Sequence, residues 1–186
     1  MEPVVRRRWI VATLAGLAAV GLAVALVLFQ PWLLFVNVEV DDALPVVPTS
    51  SPSEPAPPAP SASPTAIPEP QPVQLSAGQL ISHEHETSGS ARIIQNPDGS
   101  RVLALENLST SSGPDLRVWL AATPVVPGFD GWFLADDGAY VELGALKGNM
   151  GNQLYEIPAD VDLGQYPSLY IWCAQFAVSF GAASLA

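Results

Sequence analysis

Cysteine is almost absent from this chain: Cys173 stands alone among 186 residues. A single cysteine excludes any disulfide within the chain. Four roles stay open for the thiol: inert apolar filler, free reactive group, cofactor ligand, or one half of an intermolecular bridge. Histidine is nearly as scarce, since His83 and His85 are the only two. Basic residues are also few, seven against eighteen acids, for a net charge of −11. From Gln74 onward twelve acids face only Arg92, Arg101, Arg117 and Lys147. So acidic a domain repels polyanions, which excludes nucleic acid as a partner. The chain also lacks G-x-S-x-G, H-E-x-x-H, C-x-x-C, P-loop and G-x-G-x-x-G patterns, so hydrolase and transferase chemistry has no support. Asp136-Asp137-Gly138 lacks the ligands of a calcium loop.

What is present is unevenly distributed. Trp9 to Phe29 is 21 residues without a charge, and Trp32 to Val36 extends the apolar run. At about 1.5 Å per residue this crosses a hydrocarbon core of about 30 Å. Arg6, Arg7 and Arg8 precede the run, while Glu39, Asp41 and Asp42 follow it. The positive-inside bias puts the N-terminus in the cytoplasm and the rest outside. A cleaved signal would have a shorter apolar core and a small-residue site, which FVNVEV does not offer. An uncleaved anchor in the lipid bilayer through residues 9–36 is therefore expected. Ala15, Ala19 and Ala23 recur every fourth position, a weak hint of helix pairing.

Between Pro45 and Pro72 there are eleven prolines in 28 residues. This composition cannot bury a core and favours extended polyproline II, so a disordered spacer is expected, reaching on the order of 110 Å at about 3.1 Å per residue. The chain then divides into a cytoplasmic N-terminus (1–8), a transmembrane anchor (9–36), a Pro-rich extracytoplasmic linker (37–73) and one globular domain (74–186).

That domain reads as all-β. No stretch after residue 74 holds a 3.6-residue apolar period, and short β-rich runs alternate with turn residues instead. ARII and RVLAL flank Asn96-Pro97-Asp98-Gly99, a hairpin signal. WFLA and AYVEL flank Asp136-Asp137-Gly138, a second one. LRVWLA, QLYEI and a long final run over 169–180 bring the expectation to about 7–8 strands in an antiparallel sandwich or flattened barrel. The final run is expected to be central. Ile171 and Cys173 share one face of an extended strand there, and Phe176, Val178 and Phe180 the other. Either the strand is buried on both faces near Cys173, or a bulge at Ala174–Gln175 switches the phase.

On a strand His83 and His85 face the same way, so both rings could reach one metal, with Cys173 and Met150 as further ligands of a copper-type set. A solvated strand end is the plainer reading, given Glu84 and Glu86. Arg117 and Lys147 are the bases that could lower the thiol's pKa. Tyr155, Trp172, Phe176 and Phe180 read as core, and Asp115 as a turn cap in Gly113-Pro114-Asp115.

Four segments occur together in a telling order: HETSGSARI (85–93), SRVLALENLSTSSGPDLRVWL (100–120), LGALKGNMGNQLYEIP (143–158) and YPSLYIWCAQFAVSFGAASL (166–185). In this they resemble the DM13 domain over essentially all of 75–186. The resemblance implies an all-β fold and a role in electron transfer or redox chemistry in an extracellular or membrane-anchored protein. It implies that Cys173 works as a bare thiol or as ligand to a prosthetic group such as haem. His85 matches the histidine of the H-x-T-S-G segment, and His83 has no counterpart. No DOMON partner domain is present, so a redox partner protein is implied. The contrasting expectation is a non-catalytic β-sandwich that binds a cell-wall polymer or a partner protein.

Overall fold

The computed structural model describes residues 2–29, 36–48 and 70–186; most of the expected disordered linker, 49–69, lies outside the described residues. The N-terminal helix α1 (Glu2–Phe29) carries the apolar stretch Arg8–Leu26, long enough to cross a membrane and equally of a length that suits a signal sequence. Among the described residues ten strands follow: β1 (Glu39–Asp41), β2 (Val73–Gln79), β3 (Ile81–Ser82), β4 (Ser88–Gln95), β5 (Arg101–Ser109), β6 (Leu116–Ala121), β7 (Tyr140–Ala145), β8 (Met150–Ile157), β9 (Ser168–Cys173) and β10 (Val178–Ser184). They form two five-stranded sheets, in the orders β1-β8-β5-β4-β2 and β3-β10-β9-β6-β7, packed as a sandwich. The expected sandwich is therefore correct in architecture. Its strand number exceeds expectation because two short edge strands, β1 and β3, carry no alternation long enough to read.

Alternation explains the core. Leu103 and Leu105 of β5, Tyr155 and Ile157 of β8, Val118 and Leu120 of β6, and Leu169, Ile171 and Cys173 of β9 all point between the sheets. The β4–β5 hairpin forms where expected. Gly99 takes φ +85, and Asp98 accepts from the Ser100 amide at 2.9 Å. The second sheet is buried on its outer face as well, where Trp119, Tyr170 and Trp172 lie under Val125 and Ala135 of the long β6–β7 connection.

Two expected elements differ. WFLA is not a strand: Phe129–Gly131 forms a 3-10 turn and 132–135 continues irregularly. Gly131 sits so close to the Val126 carbonyl that a Cβ could not fit. This segment folds as a cover on the sheet, not as a β7 partner; β7 pairs β6 instead. The final run is also not one strand. It reverses through a turn at Ala174–Ala177, with Ala177 at φ +49 and the Phe176 amide donating to the Cys173 carbonyl at 3.3 Å. The phase slip after Cys173 is thus a chain reversal. β9 is central and buried on both faces, and the bulge lies in β10, between Ser179 and Gly181.

The stretch read as the start of the linker supplies β1. It runs parallel to β8, with Glu39, Val40 and Asp41 opposite Met150, Gly151 and Asn152. Asn149 accepts from the Val38 amide at 2.7 Å and donates to Asn37 Oδ1 at 2.9 Å and the Thr110 carbonyl at 2.8 Å. Asp42 accepts from Lys147 Nζ at 2.6 Å and the Leu154 amide at 2.9 Å. These two donors hold its carboxyl below the usual carboxylate range. Gly148 and Gly151 leave no room for a Cβ against the backbone of Val38 and Val40. Buried Gln153 braces the same loop: it accepts from Tyr155 Oη at 2.7 Å and donates to the Gly148 carbonyl at 2.7 Å. Burial pushes the Tyr155 hydroxyl up to about 12. The segment LKGNMGNQLY thus has a structural task, which is to seat β1.

Candidate functional site

The segment 83–85 is a bend, not a strand, and it is pinned along β10. The His83 amide donates to the Phe180 carbonyl at 3.0 Å and the Glu84 amide to the Ser179 carbonyl at 3.1 Å. Thr87 locks the other side: its hydroxyl lies 2.9 Å from the Phe180 carbonyl and 2.8 Å from Thr110 Oγ1. This explains the T-S-G of the segment, whose threonine sequence reasoning passed over as a positioning residue. Gly89, at φ +120, packs against the β5 backbone at Glu106–Leu108.

Because Ser179 and Phe180 point to opposite faces of the second sheet, the two histidines do too. His83 is buried on the outer face, with Nδ1 2.8 Å from Ser179 Oγ and its ring 6.1 Å from that of Tyr170. Its Nε2 is buried without a hydrogen-bond partner. Burial holds the imidazole below its ordinary pKa; the nearby Val126 carbonyl opposes this without hydrogen-bonding Nε2. His85 lies on the inner side, half-exposed, with its ring 3.9 Å from that of Phe180 and Nε2 2.7 Å from Glu84 Oε2. The bend therefore separates the rings that an extended strand would have aligned toward one metal. Among the described residues no group of three or more His, Cys, Asp or Glu side chains could hold a metal ion.

His85 and Glu84 border a cleft of about 560 Å³ whose apolar walls include Trp132, Phe133, Phe176 and Phe180. Ser111 to Pro114 close one side. Trp132 also offers its carbonyl to the Ser179 amide at 2.8 Å, while its Nε1 is buried without a partner. Phe180 is core, as are Tyr155 and Trp172. Phe176, expected in the core, is 64% exposed because it rides the β9–β10 turn. Trp132 and Phe133 carry strand-like sequence, which hides their place in the cleft; their one local signal is an aromatic pair after a glycine.

Cys173 has no exposure at all and lies in the core between the sheets. Its register neighbours are Leu116 on β6 and Val178 on β10. Val178 lines the cleft and Cys173 does not. Neither expected base is beside the thiol. Arg117 bonds Asp115 at 2.6 Å and Glu142 at 2.8 Å on the outer face, and Lys147 holds Asp42. Met150 sits at the start of β8, opposite Glu39. A haem ligated by Cys173 does not fit this arrangement: the macrocycle needs open space at the sulfur, and the thiol's surroundings are packed side chains. An intermolecular disulfide meets the same obstacle.

The fold and cleft define a two-sheet β-sandwich with an aromatic opening at the end where β9 turns into β10. Residues 79–185, more than half of the chain, match the family described as "Electron transfer DM13", and the chain belongs to the DM13 family. Searches of curated proteins and of solved structures found no match.

Proposed function

We propose that this protein is a membrane-anchored extracytoplasmic electron-transfer module. In this reading its N-terminus is cytoplasmic and the aromatic cleft at His85 is the working face. The observation that carries the reading is the cleft itself. It gathers four aromatic rings and a histidine–carboxylate pair, and it is lined by Val178, the register partner of Cys173. Aromatic faces bind planar redox groups by stacking, and the His85–Glu84 contact gives the cleft a polar edge. Cys173 belongs to this reading through adjacency alone: Val178, its register partner, stands between it and the cleft. The redox partner is another protein or a small carrier.

The test uses full-length protein purified in detergent from its native host. Its absorption spectrum and its rate of electron exchange with a soluble acceptor are compared among wild type, His85→Ala, Phe176→Ser and Cys173→Ala. A loss of at least about tenfold in the cleft variants, with the fold retained, supports the reading. No redox exchange in the wild type, or equal rates in all four, overturns it. The alternative is a non-catalytic module for cell-wall polymer or a partner protein. It draws support from the exposed rings of Phe129 and Phe176. Capture of a wall fraction that persists in Cys173→Ser and is lost in Phe176→Ser, without redox exchange, would favour it.

A further inference from the structure

The chain's topology fixes which end of the sandwich is nearest the anchor. Helix α1 ends at Phe29, and seven residues later the Val36 carbonyl accepts from Ser112 Oγ at 2.9 Å. Seven residues span at most about 25 Å. Two residues after Val36 the chain enters the contacts that seat β1, and β1 then runs alongside and parallel to β8, away from its attachment at Val36. The register carries this direction through both sheets. Glu39, Met150, Ser109 and Ser88 mark the near end of the first sheet, and Leu116, Cys173 and Val178 that of the second. The far end holds the Asn96–Ser100 turn and the start of β2 at Val73.

Two consequences follow. First, the proline-rich stretch leaves β1 and re-enters at β2 at the far end, joining the two edges of one sheet. Those edges are four strand spacings apart, about 19 Å. It connects strands within the domain and does not set the domain's distance from the anchor. Second, the cleft is at the near end, because Ser112, which holds Val36, lines it. Around that opening Phe129 is 66% exposed, Phe133 45% and Phe176 64%, and Phe129 packs against Trp132 and Phe133. The bases nearest this end, Arg117 and Lys147, are spent on Asp115, Glu142 and Asp42.

We infer that the near end docks on the lipid bilayer, with Phe129, Phe133 and Phe176 resting among the headgroups and the cleft opening toward the membrane surface. The occupant is the bilayer that α1 crosses, so the inference rests on the anchor in the function proposed above. Twenty-one residues from Trp9 to Phe29 are enough to cross the hydrocarbon core, and the apolar run continues through Trp32 to Val36. A tether this short cannot carry the rings far from it. Without free cations at this end the attachment is apolar, and it tolerates salt. An electron carrier dissolved in the membrane would then reach the cleft without entering water.

The experiment reconstitutes the full chain in phosphatidylcholine nanodiscs. A fluorophore is attached at Phe129→Cys or, separately, at Ser100→Cys, and quenching by headgroup-spin-labelled lipid is measured. Circular dichroism confirms that each labelled protein is folded. The expected result is quenching several-fold stronger at position 129, unchanged in 1 M salt. Deleting residues 49–69 should leave that contrast intact, since this stretch is not the tether. Equal quenching at both positions, stronger quenching at 100, or a contrast that depends on 49–69 overturns the inference while leaving the anchor standing. Mass spectrometry of the native protein separates the two: loss of residues 1–35 overturns the anchor and this placement together.

Discussion

His83 and Ser179 meet through Nδ1 and Oγ at 2.8 Å, and the other ring nitrogen, Nε2, is buried with nothing to bond. Ser179 Oγ also lies 3.2 Å from the Gly181 carbonyl. If the hydroxyl donates to that carbonyl it accepts from Nδ1–H, which leaves Nε2 as a bare lone pair. Protonating the ring would place a charge in a buried site, a cost that the nearby Val126 carbonyl offsets only in part.

Between pH 7.5 and 5.5 stability should therefore depend on pH through this group. The native state holds His83 neutral below its ordinary pKa, whereas the unfolded chain takes up the proton near pH 6.5. Lowering the pH through that value favours the unfolded state, by up to about 1.4 kcal/mol per unit, until the native pKa is reached. The slope should be markedly reduced in His83→Asn, which keeps a donor toward Ser179 and cannot titrate. Urea unfolding at pH 7.5 and 5.5 checks this, and equal pH dependence in both proteins would contradict it.

Cys173 should behave as a core residue toward reagents. With no exposure between two packed sheets, its thiol meets a disulfide reagent only when the sandwich opens. Labelling of the native protein should be at least about a thousandfold slower than of the unfolded chain. Cys173→Ser should cost about 1–3 kcal/mol, since it buries a hydroxyl among apolar neighbours. Fast native labelling would show that the β9–β10 hairpin opens locally, and would bring the thiol into the cleft's chemistry.

Much of the fold was legible because alternation and turn chemistry are local. The NPDG hairpin, the Leu116–Val118–Leu120 face of β6 and the shared face of Ile171 and Cys173 on β9 could be read from period and turn residues alone. What escaped reading depends on partners remote in sequence. Glu39–Asp41 looks like linker because its strand character comes from Asn149, Asn152 and Lys147, more than a hundred residues away. The run around Cys173 looked like one strand because apolar residues continue through the turn; Phe176 is exposed there and Val178 is not. For the site, His85 was identified by resemblance and does line the cleft, but its company of Trp132, Phe133 and Phe176 could not be read from spacing.

Seating of β1 should hinge on Asn149, whose amide uses every donor and acceptor in reach of the strand. Asn149→Ala removes the bonds to Val38, Asn37 and Thr110 and leaves the Thr110 carbonyl without its partner. The expected cost is about 1–3 kcal/mol. Hydrogen exchange locates the loss: the amides of Val38 and Asp42 should lose protection while those of β5 keep theirs. Gly151→Val should do the same for a different reason, because a side chain at φ +95 would stand in the Val40 backbone. Unchanged protection at Asp42 in both variants would show that β1 holds without this loop.

Phe176 and Phe180 lie two residues either side of Val178, yet they should answer to substitution in opposite ways. Phe180 is 3% exposed and carries the His85 ring, so Phe180→Ala opens a cavity and should cost about 3–5 kcal/mol. Phe176 stands on the turn in solvent, so Phe176→Ser should change stability by no more than about 0.5 kcal/mol. If the cleft is the working face, this stable variant should still lose electron exchange, by the margin expected for His85→Ala. Urea unfolding and the acceptor assay on the same preparations separate the two effects. A Phe176→Ser protein with full stability and full exchange would remove the cleft rim from the function and leave only its role at the membrane.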